Sequence, residues 1–165
     1  VEMETLARDS ASELALLRPK DIFTAASYAL FSREEPTLGT EITVAGFSFP
    51  DVMDIAALNY GTLTANAGTK GDETRMRVSA FLEAGDVGGP VLNDRGAVIG
   101  MVLLRGSQGT NLPEYVNFAI KTDRILALLN SGNYAYGRST TREPVDLEDL
   151  AFMAGDFTVK VSCWK

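Results

Sequence analysis

Gly85-Asp86-Val87-Gly88-Gly89-Pro90 runs directly into Val91-Leu92-Asn93-Asp94-Arg95-Gly96-Ala97-Val98-Ile99-Gly100-Met101-Val102. Glycines and a proline after an acidic residue force a tight turn, because glycine tolerates positive φ and the proline ring fixes its own. Two apolar, β-rich runs then flank a second turn at Asn93–Gly96, which reads as a hairpin.

Moving outward, strand signals recur with turn residues between them. Leu38–Pro50 is a turn, a strand and a Gly/Pro stop. Ala57–Ala65 and Thr74–Phe81 are the next strands, with the Gly68–Asp72 cluster as a polar turn between them. Leu112–Thr122 carries another strand over Tyr115–Ile120. A helix follows, with Thr122 or Asp123 as its cap, Ile125, Leu126, Leu128 and Leu129 as its apolar face, and Asn130-Ser131-Gly132 as its stop. On the N-terminal side, Val1–Asp9 alternates as a half-exposed strand and Glu13–Leu17 starts acidic and turns apolar. Lys20–Pro36 reads as a connection with one helical turn around Ala25–Leu30. On the C-terminal side, Asn133–Glu143 is a surface link. Pro144–Ala154 is a helix stopped by Gly155, and Phe157–Trp164 alternates as a strand.

Composition removes several classes of function. The chain has 165 residues, enough to bury a real core. Lys and Arg number 15 against 22 Asp and Glu, and the net charge of −7 argues against nucleic acid or an anionic membrane as a general partner. No apolar run approaches the ~20 residues of a membrane span. With histidine at 0, the chain itself supplies no imidazole base or metal ligand, and no phosphate loop, metal-ligand cluster or cofactor motif is present. The lone Cys163 cannot form a disulfide within the chain and is expected as a small buried hydrophobe.

The Gly85–Pro90 stretch and its hairpin resemble the Gly-Asp-Ser-Gly-Gly-Pro nucleophile loop of the trypsin-like serine proteases, with Val87 at the serine's place. Glu13-Leu14-Ala15-Leu16-Leu17 resembles their Asp-Leu-Ala-Leu-Leu strand, which sets Glu13 at the place of the aspartate that orients the catalytic histidine. On its residues alone, the same stretch is simply an acidic strand start before four apolar residues. Leu38–Pro50 and the Asn117-Phe118-Ala119-Ile120 run are similar to strands of the bacterial high-temperature-requirement branch of that family. The resemblance spans roughly Glu13 to Leu129 and is densest from Gly85 to Ile120.

It implies an all-β protein: an antiparallel Greek-key β-barrel, the second barrel of a trypsin-like double barrel, with a closing C-terminal helix. Residues 1–20 would be the last strands of the first barrel, 21–132 the second barrel and helix, and 133–165 an extension packing on it. The site it implies is degenerate, since valine has no nucleophilic atom. Backbone N–H groups of Gly85, Asp86 and Val87 would retain an oxyanion hole, and Phe81, Leu82, Leu103, Leu104 and Phe118 would line a substrate-like pocket. A peptide could then add along Leu103–Gly106 without being cut. The expected function is that of a catalytically silent homologue acting by peptide or protein binding. A fragment of an endopeptidase inactivated at Val87 and a structural subunit of a larger assembly are the alternatives. Val1 falls in mid-strand, so an N-terminal fragment or second chain is expected to complete the first barrel. The family points to a periplasmic or secreted location.

Overall fold

The computed structural model describes residues 1–52, 54–104 and 112–163. Its strands, in chain order, are β1 (Met3–Asp9), β2 (Leu14–Pro19), β3 (Leu30–Phe31), β4 (Glu41–Gly46), β5 (Ala57–Ala65), β6 (Arg75–Ala80), β7 (Pro90–Asn93), β8 (Val98–Val102), β9 (Val116–Lys121) and β10 (Gly137–Arg138). The helices are α1 (Thr122–Ser131) and α2 (Leu147–Phe157).

Strands β4 to β9, pairing antiparallel in the order β8-β7-β4-β5-β6-β9, form a six-stranded barrel that a further β8–β9 pairing closes. The architecture is the expected antiparallel barrel with a helix following its last strand. Two short parallel additions sit on its outside, β3 beside β8 and β10 beside β3. The helical turn expected around Ala25–Leu30 is absent. Leu30 and Phe31 instead take backbone partners from β10 and β8, so the sheet claims the end of the connection.

Alternation assigns each side chain to a layer. Ile42, Val44, Leu63, Met76, Val78, Val91, Ile99, Val102 and Ala119 fill the barrel. Their immediate neighbours Ala45, Leu92 and Val98 point outward, where Leu150 and Ala154 of α2 cover them. That covering helix explains why β4, β7 and β8 read as continuous apolar runs: both their faces are buried. A bulge in β8 aids the closure. Val91 faces Gly100 while Leu92 faces Val98, which leaves Ile99 as the extra residue.

The hairpin β1–β2 forms its own two-stranded sheet and docks on the barrel through Leu14, which is buried with Leu103, Phe118 and Ile120. Polar contacts reinforce the dock. Arg124 of α1 donates to Asp9 Oδ2 at 2.9 Å and to Ser12 Oγ at 3.0 Å, and Arg75 lies 3.4 Å from the Glu13 carboxylate.

The helix ends depart from the sequence reading. Lys121, not Thr122 or Asp123, occupies the N-cap of α1, and no side chain caps it. Thr122 is instead buried, its hydroxyl directed at the Val98 carbonyl. Gly155 does not stop α2, which runs on to Phe157 because Ala154 and Phe157 both pack on the barrel. The strand expected over Phe157–Trp164 is not formed: residues 158–163 follow α2 without regular pairing, and Trp164 lies outside the described residues. Val159, Val161 and Cys163 are consequently exposed, so the cysteine is not the buried hydrophobe expected.

Two outcomes follow. Leu14→Ala should destabilise the protein by about 2–4 kcal/mol in urea unfolding, because it opens a hole under the docked hairpin. The dock should also weaken in acid. The Ser12 hydroxyl and N–H, with Arg124, hold the Asp9 carboxyl below its ordinary 3.8, and the Thr74 hydroxyl and N–H, with Arg75, do the same for Asp72. Carboxyls lowered on folding stabilise above their unfolded value and lose that contribution as pH falls through the folded one. The protection factors of the Leu14–Leu17 amides against exchange should therefore fall as pH drops below 3.8, and less so in Asp9→Asn.

Candidate functional site

The Glu83–Pro90 segment leaves β6 and enters β7 through one turn of 3-10 helix over Ala84–Asp86. Glu83 and Asp86 form a reciprocal capping box across this turn. The Asp86 side chain is fully buried. Its Oδ1 accepts from the Ser48 hydroxyl at 2.7 Å, and its Oδ2 accepts from Asn59 Nδ2 at 3.1 Å and from the Glu83 N–H at 2.9 Å. Asn59 also reaches Ser48 Oγ at 3.2 Å, so strand β5, the 46–50 loop and the turn are tied at one carboxyl group.

The glycines allow the close approach. A Cβ on Gly85 would lie 1.9 Å from the Phe47 carbonyl oxygen, so no larger residue fits unless the loop moves. Gly88 has φ +82°, a left-handed conformation that side-chain-bearing residues rarely take. Its N–H donates to the Val102 carbonyl and the Val102 N–H returns to Gly89, which stitches the loop to β8.

The residues assigned to the site from sequence are not all brought together. Val87 sits after the turn in extended conformation, 37% exposed. The Asp86 N–H donates to the Glu83 carbonyl at 3.0 Å and the Val87 N–H points at the Ala84 carbonyl at 3.4 Å. Two of the three N–H groups expected to form an oxyanion hole at Gly85, Asp86 and Val87 are thus turned onto the loop's own carbonyls. Glu13 meets Arg75 at the start of β6, whereas the loop follows the end of that strand, a span of roughly 16 Å at the usual rise per residue.

The five residues expected to line a pocket do not share one wall. Leu103 and Phe118 are buried under the hairpin with Leu14, Leu82 packs against the barrel interior, and Phe81 and Leu104 are exposed at 70% and 56%. The docked β1–β2 hairpin sets Leu14 against Leu103, Phe118 and Ile120. Of the Leu103–Gly106 edge, Arg105 and Gly106 lie outside the described residues. Ser48 and Asn59 are the site residues that sequence reasoning missed. The available signal was Asn59 itself, a polar amide inside a strand, where asparagine is depleted.

Residues 1–101 match the trypsin-like peptidase domain family, and the chain belongs to that family. It is 30% identical over 165 residues to the uncharacterized protein y4bJ of Sinorhizobium fredii, covering 96% of this chain and 26% of that protein. The chain therefore spans about a quarter of that relative's length. Among solved structures, a serine endoprotease from Yersinia pestis aligns with a TM-score of 0.63 and 19% identity, over 78% of this chain and 43% of that one. An inactive serine-to-alanine form of Rv3671c from M. tuberculosis H37Rv aligns at 0.59 and 17%, over 79% and 64%. Both likenesses establish the fold.

Removing the buried carboxyl would orphan the Ser48, Asn59 and Glu83 donors together. Asp86→Ala should cost about 2–5 kcal/mol in denaturant unfolding, because each buried donor left unsatisfied costs about 1–3 kcal/mol and water can reach some of them. Asp86→Asn, which keeps one acceptor, should cost less.

Proposed function

We propose that this trypsin-like domain is catalytically silent and acts by binding peptide or protein. The observation that carries the reading is Val87 itself, half-exposed on an intact, tightly bonded Gly85–Pro90 loop where the family places its nucleophile. Valine offers no atom to attack a carbonyl, and its branched Cβ occupies the approach. Loss of the nucleophile in an unrelated serine protease lowers turnover by about 10⁶. The chain carries 0 histidines, so a base would also have to come from elsewhere. Turning the Asp86 and Val87 N–H groups inward further removes donors that would stabilise an oxyanion.

Binding is supported by the surface around the loop. Gly61 pairs with Ala80, so Tyr60 and Phe81 follow as cross-strand neighbours, and they are 54% and 70% exposed. Val87 and Leu104 add exposed apolar surface on the β8 side. Exposed aromatics grouped this way are common in sites that hold another chain. In the same reading, β1 and β2 correspond to the end of a first barrel, with further strands provided by another segment or chain.

The purified protein should not hydrolyse casein and should not react with a fluorophosphonate probe. Val87→Ser should remain unlabelled and inactive, since a hydroxyl without its base stays protonated and weak. Labelling or turnover in that variant would overturn the silent-site reading. The pair Tyr60→Ala and Phe81→Ala should lower retention on an immobilised peptide library without shifting Tm. Undiminished retention would place binding elsewhere.

A further inference from the structure

We propose that a concavity at the opposite end of β7 from the Gly85–Pro90 loop binds a phosphate monoester. It has a volume of about 210 Å³, between the segment that follows β3, the turn joining β7 to β8 and the segment after β10. That is smaller than the ~300–1,000 Å³ of sites for drug-sized ligands, and suits a phosphoryl group on a short stem.

Its walls bring Arg33, Arg95 and Arg142 together from three different parts of the chain. The only carboxylate among the residues lining it is Glu34, which lies 3.4 Å from Arg95. One carboxylate against three guanidinium groups leaves two positive charges unmatched, in a chain whose net charge is −7. Arg33, one of the lining residues, donates from Nε to the Ser139 carbonyl at 3.1 Å, which ties the side chain to the segment after β10. Arg142 has no hydrogen-bond or ion-pair partner among the described residues. Thr141 adds a hydroxyl to the wall, and its N–H bonds the Ser139 hydroxyl at 3.2 Å, which sets the course of the segment.

Arginines that line one concavity favour an anion within it. Guanidinium forks suit both carboxylate and phosphate. The stoichiometry chooses between the two: a phosphate dianion cancels both unmatched charges and presents oxygens in three directions, whereas a carboxylate cancels one and lies in a plane. Arginine stays protonated throughout the working range and the chain has 0 histidines, so between pH 5 and 8 the ligand's second ionisation, near 6, governs binding.

The test is titration calorimetry on the whole chain at low salt, with inorganic phosphate and a phosphoserine tetrapeptide as probes and acetate and the unphosphorylated peptide as controls. Both phosphate probes should bind, and binding of the phosphopeptide should tighten about tenfold from pH 5 to 7 as its monoanion becomes a dianion. Comparing the two probes separates a free phosphate from a phosphorylated side chain as the source. Arg142→Ala and Arg95→Ala should each weaken binding about tenfold, in line with charge-assisted hydrogen bonds. Glu34→Gln should strengthen it. Should Arg95→Ala fail to fold, as judged by circular dichroism, exposed Arg142 decides the matter. No binding at millimolar phosphate, equal binding of acetate, or indifference to Arg142→Ala would each overturn the proposal.

Discussion

A carboxyl group with no cation bonded to it among the described residues is fully buried at one end of the barrel, and three donors make that burial tolerable. Ser48, Asn59 and the Glu83 N–H all converge on Asp86. A buried acidic group left unpartnered would cost several kcal/mol, so the loop can close only when the 46–50 segment and β5 are already in register. Asp86 thereby couples the turn before β7 to strands far away in sequence. The Gly88 and Val102 N–H bonds then carry the same constraint into β8. The loop's shape rests on Asp86 and the glycines, because the Val87 side chain takes no part in those bonds.

The rest of the fold is governed by which faces get covered. The interior of a closed six-stranded barrel is small, and nine residues led by Ile42, Val44, Leu63 and Met76 fill it. The outward apolar residues of β4, β7 and β8 then need a second layer, supplied by α2. Those of β9 need another, supplied by α1 and the β1–β2 hairpin. The hairpin's contribution rests on Leu14 and on ion pairs with Arg124 and Arg75. These contacts also occupy the region where the family resemblance would have Glu13 serve the loop.

Charge is distributed unevenly over this acidic chain. Arg75 and Arg124 are committed to holding the hairpin, while of Arg33, Arg95 and Arg142 only Arg95 is ion-paired among the described residues, with Glu34. The first group is explained by docking. The second stands at the far end of β7 from the Gly85–Pro90 loop.

Local pattern determined much on its own. The spacing of apolar residues and turn glycines located β5 to the residue and β4, β6, β7, β8, β9 and α1 within a few positions, because alternation and turn chemistry are properties of a short window. The loop's letters were equally plain: Val87 within Gly85–Pro90, and a chain with no histidine. What lay outside that window was decided by tertiary structure. The α2 helix runs through Gly155 because Phe157 finds a surface to pack on, and the residues that follow form no strand pairing. Asn59 and Ser48 looked like ordinary polar residues until folding set them against Asp86. Phe118 and Leu103 looked like pocket walls until a hairpin about a hundred residues earlier in the chain covered them. A window of sequence records what a segment can do by itself; which face is buried, and which donor meets which acceptor, is set by segments it cannot see.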